Sequence, residues 1–215
     1  MSYLVKEVFY TLQGEGANAG RPAVLCRFAG CNLWTGRPEH IESAICRFCD
    51  TDFVGIDGPG GGRFEDASAL ASHIAKAWRG EGGATRLVVC TGGEPLLQLD
   101  ARLIDALHEE DLEVAVETNG TIALPDESAA PIDWVCVSPK AGTELVVRAG
   151  NELKLVYPQP GAEPDQFESL GFDHFFLQPM DGTEAGPNTA EAVTYCLDHP
   201  RWRLSLQTHK LIGIP

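Results

Sequence analysis

Leu87-Val88-Val89-Cys90-Thr91-Gly92-Gly93-Glu94-Pro95 is the stretch of sequence that decides the fold of this chain. Its first four residues are continuously apolar, which is typical of a strand in a parallel sheet that is covered on both faces. The two glycines and the proline that follow are typical of a turn. A helical pattern comes next, at residues 100–110. The order strand, turn, helix is that of one α/β unit.

The same alternation of strands and helices runs through the rest of the chain. Six further short runs are rich in β-forming residues, at 23–28, 113–117, 134–138, 152–156, 174–178 and 203–207. Helical patterns also occupy residues 66–79 and 189–198. Strands and helices in succession predict right-handed βαβ units and therefore an α/β fold.

Regular crossover helices are not expected after every strand. Proline and glycine interrupt the segments that follow the predicted strands 113–117 and 134–138, at Pro125, Pro131, Pro139 and Gly142. We therefore predict an open, partial (β/α) barrel of about six parallel strands with some crossover helices missing, forming a single domain over residues 1–215. Functional side chains are expected on loops at the carboxyl ends of these strands.

Composition and charge exclude several classes of partner. The 215 residues contain 16 Lys and Arg against 31 Asp and Glu, so the formal charge is −15 and nucleic acid is not expected as a direct partner. No run approaches the ~18 apolar residues of a membrane span, and the amino terminus does not resemble a signal peptide. We therefore expect no membrane partner and a cytoplasmic location, where thiols stay reduced. Metal binding or burial then explains the seven cysteines better than disulfides.

Three of these cysteines form the first chemical signal. Cys31 and Cys46 are separated by fourteen residues, and Cys46 and Cys49 by two, on a loop after a predicted strand. Three thiolates can hold three irons of a [4Fe–4S] cluster and leave the fourth iron open to another ligand. A closed zinc site is the alternative, and it would need a fourth ligand such as His40 or Cys26. Cys26 fits more simply as a buried strand residue.

The segment Gly92-Gly93-Glu94-Pro95 is the second signal. The glycines let the backbone approach a ligand closely, and Glu94 adds a carboxylate beside backbone donors and acceptors. Such groups could hold an α-amino and carboxylate pair. A plain strand-to-helix turn is the alternative interpretation.

Together the two signals resemble the radical S-adenosylmethionine superfamily, in which those two groups of S-adenosylmethionine chelate the open iron. Most members have three and two residues between their cysteines, and the longer first gap here resembles one branch, the 7-carboxy-7-deazaguanine synthase family. The resemblance covers essentially the whole chain. Its motifs are Phe9-Tyr10-Thr11-Leu12-Gln13-Gly14-Glu15-Gly16, Arg27-Phe28-Ala29-Gly30-Cys31-Asn32-Leu33-Trp34, Cys49-Asp50-Thr51-Asp52, Glu117-Thr118-Asn119-Gly120, Val137-Ser138-Pro139-Lys140, Gln178-Pro179-Met180-Asp181, Gln207-Thr208-His209-Lys210 and the ending Ile214-Pro215.

The resemblance implies a role for each matched position. The implied cluster ligands are Cys31, Cys46 and Cys49. The residues implied to bind S-adenosylmethionine are Phe48, Gly92, Gly93, Glu94, Glu117, Ser138, Pro139, Lys140, Gln178, Pro179, Met180 and Asp181. The residues implied to bind substrate are Leu12, Gln13, Gly14, Arg27, Thr91 and Pro215.

Several of these roles have open alternatives. Phe48 could be a buried loop anchor, and residues 138–140 and 178–181 could be solvated polar loops. Glu117 could act on the cofactor through a neighbouring residue. Mg²⁺ is implied at Thr51, although residue type alone would favour Asp50 or Asp52 as its ligand. Arg27 is implied to hold the substrate carboxylate, but it could instead be a surface residue paired with Glu15 or Asp50.

The activity that the resemblance implies is a radical ring contraction. It converts 6-carboxy-5,6,7,8-tetrahydropterin to 7-carboxy-7-deazaguanine with loss of ammonia, in 7-deazapurine (queuosine) biosynthesis. A 5′-deoxyadenosyl radical abstracts the hydrogen atom, so no side chain is assigned as catalytic. An electron donor such as flavodoxin and a homodimeric assembly are also implied.

Two other functions stay open at this stage. A glycyl-radical activating enzyme acts on a protein substrate, but such enzymes have the shorter first cysteine gap that this chain lacks. A non-enzymatic interaction module could hold zinc with the three cysteines and His40 or Cys26.

Overall fold

The protein is described by a computed structural model that covers residues 2–81, 83, 85–126 and 131–215. Within these residues one sheet of nine strands forms, in the order β3-β1-β2-β4-β5-β6-β7-β8-β9. The strands are β1 Tyr3–Leu12, β2 Pro22–Phe28, β3 Gly62–Phe64, β4 Arg86–Gly92, β5 Leu112–Thr118, β6 Trp134–Val137, β7 Ala149–Tyr157, β8 Gly171–Pro179 and β9 Trp202–Leu204. The helices are α1 Ala67–Ala77, α2 Ala101–Glu109, α3 Ala185–Asp198 and α4 Thr208–Ile212.

The seven predicted strands are all present, as β2 and β4 to β9. In the order β2-β4-β5-β6-β7-β8-β9, each strand pairs in parallel with the next. The prediction of an open, partial α/β barrel is therefore confirmed. In the described residues, no α-helix joins β5 to β6 or β6 to β7, and a 3-10 turn, Pro164–Gln166, lies between β7 and β8. The last strand is shorter than the predicted 203–207 and ends at Leu204.

Strands β1 and β3 were not predicted. Strand β1 pairs antiparallel with both β2 and β3, and a bulge between Val5 and Glu7 interrupts its register. The adjacent charges of Lys6 and Glu7 at this bulge break the apolar alternation that identifies a strand. Strand β3 has only three residues and begins at Gly62.

Helices α1 and α2 cover one face of the sheet. Leu70 and Ile74 of α1 and Leu103 and Leu107 of α2 are fully buried in the main core. Asp66 caps α1, since its side chain accepts a 2.9 Å hydrogen bond from the backbone nitrogen of Ala69. The helices therefore bury their apolar faces on the sheet, which leaves the opposite face of the sheet for ligands.

The opposite face changes from apolar to polar along each strand. Ala23, Leu87, Val89 and Ala115 form a small buried cluster there. Because residues two apart in a strand share a face, Arg27, Thr91 and Glu117 continue the same face toward the carboxyl ends. No described helix is both long enough and apolar enough to span a membrane.

Candidate active site

A cavity of about 340 Å³ lies at the carboxyl ends of the parallel strands. It is the main cavity of the described residues, and strands β1, β2, β4, β5, β7 and β8 all contribute to its wall. The predicted site residues that line it are Leu12, Gln13, Gly14, Arg27, Cys31, Cys46, Phe48, Cys49, Thr51, Thr91, Gly92, Gly93, Glu117, Ser138, Lys140, Gln178, Pro179, Met180, Asp181 and Pro215. The fold thus brings to one place residues that are more than two hundred positions apart in sequence.

The cysteine loop and the glycine motif are in contact in this wall. The backbone nitrogen of Glu94 donates to the Gly30 carbonyl at 2.9 Å. The Cys46 thiol donates a hydrogen bond to Cys49, which lowers the pKa of Cys49 to about 6. The same bond, together with burial, raises the pKa of Cys46. Close packing of three thiols against a glycine-lined wall is the environment in which a cluster and a chelating amino acid could be held together.

The donor set fits an iron–sulfur cluster better than a closed zinc site. In the described part of the chain, no three His, Cys, Asp or Glu side chains converge on a point as ligands of one ion would. Cys26 is completely buried in the main core, and His40 bonds Thr35 at 2.9 Å on the surface. Neither residue lines the main cavity with the three cysteines. A cube that takes one thiolate at each of three irons does not need the sulfurs to meet at one ion.

Lys140 brings a cation to the cysteine end of the cavity. Its amine donates to the carbonyl and the hydroxyl oxygen of Ser138, at 2.7 and 2.6 Å, and lies 6.0 Å from the ring centre of Phe48. Burial lowers the pKa of Lys140, and the nearby Cys46 and Cys49 oppose that change.

Two predicted site residues lie outside the lining of the cavity, namely Glu94 and Pro139. The Glu94 carboxylate is fully buried and accepts three hydrogen bonds, from the Thr118 hydroxyl at 2.8 Å and from the backbone nitrogens of Asn119 and Leu96 at 2.8 and 3.0 Å. Burial raises the pKa of Glu94, and these donors oppose the increase. Its carboxylate therefore ties the end of β4 to the end of β5. Direct contact of Glu94 or Pro139 with S-adenosylmethionine stays a prediction.

A buried charge network that the sequence did not indicate forms the floor of the cavity. Lys154 on β7 bonds the carboxylates of Glu15 and Glu117, the latter at 3.2 Å. Glu117 also accepts from Gln13 at 2.9 Å and from Thr91 at 3.3 Å. A lysine inside the otherwise apolar run of β7 was the available signal.

The network favours the charged forms of Glu15 and Lys154. Burial alone would raise the pKa of Glu15, but the charge of Lys154 and hydrogen bonds from Lys154 and Gln207 lower it overall. Burial would lower the pKa of Lys154, but the charges of Glu117 and Glu15 raise it well above its usual value. Lys154 is thus a fixed cation between two carboxylates.

The carboxyl-terminal segment closes one side of the cavity. Lys210 of α4 pairs with Asp50 at 2.6 Å and with Asp181 at 2.5 Å, and so joins the cysteine loop to the loop after β8. The carbonyl oxygen of Pro215 accepts from the Thr11 hydroxyl at 2.9 Å. Gln207, His209 and Lys210 line the cavity, although they were not among the predicted site residues.

The open alternatives for Arg27 and Mg²⁺ can now be compared with the geometry. Arg27 lines the cavity and pairs with Glu7 at 2.8 Å, not with Glu15 or Asp50. The carboxylates of Asp50 and Asp52 pair with Lys210 and Lys6, at 2.6 and 2.9 Å.

Comparison with known proteins shows the family. A sequence model described as the Radical SAM superfamily matches residues 43–154. The 7-carboxy-7-deazaguanine synthase of Bordetella pertussis is 62% identical over 215 residues, with all of both chains covered. The chain belongs to the 7-carboxy-7-deazaguanine synthase family. Further family members include that of Bradyrhizobium diazoefficiens, 62% identical over all of both chains, and that of Bacteroides thetaiotaomicron, 41% identical over 98% of this chain and 97% of the relative.

The fold of the family is also found among solved structures. The crystal structure of QueE from Escherichia coli matches with a TM-score of 0.70 and 28% sequence identity, over 97% of this chain and 95% of that chain. Membership in the radical S-adenosylmethionine superfamily implies a [4Fe–4S] cluster and S-adenosylmethionine as cofactors, and the cavity wall already presents three thiols and a glycine motif.

Proposed function

We propose that this protein is a radical S-adenosylmethionine lyase that contracts the ring of 6-carboxy-5,6,7,8-tetrahydropterin to form 7-carboxy-7-deazaguanine and ammonia. The observation that carries the proposal is that Cys31, Cys46 and Cys49 line the same 340 Å³ cavity as Gln13 and Arg27. A cluster, S-adenosylmethionine and a pterin would therefore share one cavity. The names of the relatives from Bordetella pertussis and Bradyrhizobium diazoefficiens agree with this activity.

The chain's own residues divide the cavity into two ends. The three cysteines would hold the cluster, with Phe48, Lys140 and the wall from Gln178 to Asp181 around S-adenosylmethionine. When bound, these two groups supply the radical that takes a hydrogen atom from the substrate. The protein binds, orients and shields, and no side chain is needed as the hydrogen acceptor.

The substrate end is polar and mixed in charge. We assign the substrate carboxylate to Arg27, whose guanidinium can present two parallel N–H donors. We further assign the amide and amine edge of the pterin to Leu12, Gln13, Gly14 and Pro215, which line the same cavity. Thr91 lies beside Arg27 in the parallel register of β2 and β4.

Mg²⁺ at Thr51 is part of the same proposal. Asp50 and Asp52 are held in ion pairs. Thr51 stands between them in the sequence and lines the cavity. One hydroxyl, substrate oxygens and waters satisfy the octahedral preference of Mg²⁺. We further propose a single domain, a homodimer, a cytoplasmic location and an electron donor such as flavodoxin.

The proposal is tested by product analysis. Anaerobically reconstituted protein receives reductant, S-adenosylmethionine, Mg²⁺ and 6-carboxytetrahydropterin, and the products are separated by mass spectrometry. A product lighter than the substrate by one ammonia, co-eluting with authentic 7-carboxy-7-deazaguanine, is expected. Formation of 5′-deoxyadenosine without that product would show that the substrate is wrong.

Metal analysis of two cysteine variants and of the unaltered protein distinguishes the cluster from the zinc alternative. Cys46→Ser is expected to lose most iron and sulfide after reconstitution, because one of three ligands is gone. Cys196→Ser, on α3 and outside the cavity lining, is the matched control and should load iron like the unaltered protein. About one zinc per chain and no iron in the unaltered protein would instead favour a zinc-binding module.

A further inference from the structure

Glu7 and Arg27 face each other across the antiparallel pair of β1 and β2. The register places Glu7 directly opposite Arg27, immediately after the bulge in β1. The Nε of Arg27 donates to Oε1 of Glu7 at 2.8 Å, and both side chains line the main cavity. They are mostly buried, with 19% and 23% of the Arg27 and Glu7 side chains exposed.

This pairing uses one particular nitrogen of the guanidinium. An arginine has five N–H donors, one on Nε and four on the two terminal nitrogens. Within the described residues, the bond to Glu7 is the hydrogen bond that Arg27 makes, and neither terminal nitrogen is engaged. With Nε occupied, the pair of donors left for a bidentate carboxylate is the end-on pair formed by the two terminal nitrogens.

The bulge explains how Glu7 reaches this position. A bulge adds a residue to one strand and re-aims the side chains next to it. Lys6, the unpaired residue at the bulge itself, bonds Asp52, Asp57 and the Val54 carbonyl at 2.8–2.9 Å, so it anchors the segment directly after Thr51. Gly58 packs against Glu7, since a Cβ at position 58 would lie 2.9 Å from the Glu7 Cβ. Glu7 is thus held on one side by the 52–58 segment and on the other by Arg27.

We propose that Glu7 is a positioning residue that holds Arg27 with its terminal nitrogens free, and thereby sets the preference of the site for a carboxylated pterin. This inference rests on the proposed function, because it takes Arg27 as the partner of the substrate carboxylate. Glu7 touches the guanidinium and acts through it. An arginine side chain without such a partner would sample several rotamers. Holding it in one rotamer before the substrate binds removes the entropy cost of ordering it on binding.

The test compares two ligands that differ in the carboxylate. Pterin-6-carboxylate and 6-hydroxymethylpterin are titrated into reconstituted protein with S-adenosylmethionine and Mg²⁺, and binding is followed by pterin fluorescence. Glu7→Ala is expected to weaken pterin-6-carboxylate about tenfold, since a charge-assisted contact loses its orientation, and to leave 6-hydroxymethylpterin unchanged. Glu7→Gln keeps an oxygen that accepts from Nε and should retain most of the preference.

The chain offers a matched control. Arg21 and Glu113 form a similar pair at 2.7 Å, with 36% and 22% of the side chains exposed, and neither lines the cavity. Glu113→Ala should change the affinity for neither ligand. If Glu7→Ala does not fold, Glu7→Asp serves instead, because it keeps the charge but shortens the reach by one methylene and should lose most of the preference.

The outcomes separate this inference from the proposed function. Equal weakening of both ligands by Glu7→Ala, or no weakening of the carboxylated one, would overturn the role of Glu7 while the unaltered protein still prefers the carboxylate. An unaltered protein without that preference would contradict the proposed function itself. In turnover, a positioning role raises the KM for 6-carboxytetrahydropterin with kcat little changed, whereas a general folding defect lowers both stability and kcat.

Discussion

Gly93 packs so closely on Gly30 that a Cβ atom at position 93 would lie 2.1 Å from the Gly30 carbonyl oxygen. The same Cβ would lie 2.8 Å from the Cβ of Cys31. The glycine motif after β4 and the start of the cysteine loop are therefore a single packed unit. Neither neighbour is the flexible end of a side chain, so the backbone of the loop would have to move to admit a methyl group.

We therefore predict that Gly93→Ala lowers both stability and iron loading although all three cysteines remain. Overpacking of this kind costs roughly 1–3 kcal/mol of the free energy of unfolding. Urea denaturation and the iron content after reconstitution measure the two effects. Gly186→Ala is the control, because a Cβ there meets nothing within 4 Å and an alanine suits its helix, so stability should not fall. Full iron loading in Gly93→Ala would refute the packing argument.

Lys154→Met is predicted to destabilise the protein strongly. The substitution would leave the carboxylates of Glu15 and Glu117, whose side chains are 13% and 23% exposed, without their shared cation. Breaking a fully buried ion pair in this way costs roughly 3–5 kcal/mol, which is the upper limit for this partly exposed network. Urea denaturation at neutral pH measures the loss, and the double variant Lys154→Met/Glu15→Gln should recover part of it because one of the two charges is removed.

The matched control for that prediction is Lys76→Met, at an exposed position near the end of α1. It should change the free energy of unfolding by less than about 0.5 kcal/mol. A Lys154→Met protein as stable as Lys76→Met would show that the network is unimportant for stability.

Lys210→Met is predicted to lose a small, pH-dependent contribution to stability. Lys210 and both aspartates are roughly 40% exposed, so solvent screening limits the total to about 1 kcal/mol. Burial alone would raise the pKa of Asp50, but the Lys210 bond lowers it overall, and the same bond lowers the pKa of Asp181. The contribution is therefore complete above the unfolded carboxyl value of ~3.9 and is lost as the pH falls through the lowered folded values.

Urea unfolding at about pH 7 and at successively lower pH tests this sign. The difference between the unaltered protein and Lys210→Met should shrink below about pH 4 and should also shrink in high salt. A difference that grows on acidification would contradict the assignment of Asp50 and Asp181 as the partners of Lys210.

Glu94→Ala is predicted to act on stability before it acts on the cofactor. Without the carboxylate, the backbone nitrogens of Asn119 and Leu96 lose their acceptors, at roughly 1–3 kcal/mol for each group. Glu94→Gln keeps one of the two accepting oxygens, so it should lose less stability than Glu94→Ala and should bind S-adenosylmethionine like the unaltered protein in an equilibrium titration. Weakened binding in a folded Glu94→Gln protein would instead indicate direct contact with the cofactor.

Much of the fold followed from the sequence because its signals are local. An apolar run such as Leu87-Val88-Val89-Cys90 is identified as a covered strand without any distant partner, and the prolines correctly indicated that the described residues between β5 and β7 form no crossover helix. Strand β1 was missed because the charges at its bulge disrupt the local pattern that marks a strand. Of those charged residues, Glu7 holds Arg27 and Lys6 holds the segment after Thr51. The residues that disrupt the strand pattern therefore help to build the site.

The sequence by itself determined the chemistry that the chain carries: three thiols with a long first gap, a glycine turn after a buried strand, and polar residues at strand ends. These depend on residue type and spacing along the chain. Only the tertiary structure decided which charged side chains bond to one another and which point into the protein. Lys154 lies between Glu15 and Glu117, and the Glu94 carboxylate turns into the protein. Such choices depend on distance and burial between residues far apart in sequence, and spacing along a chain does not encode either quantity.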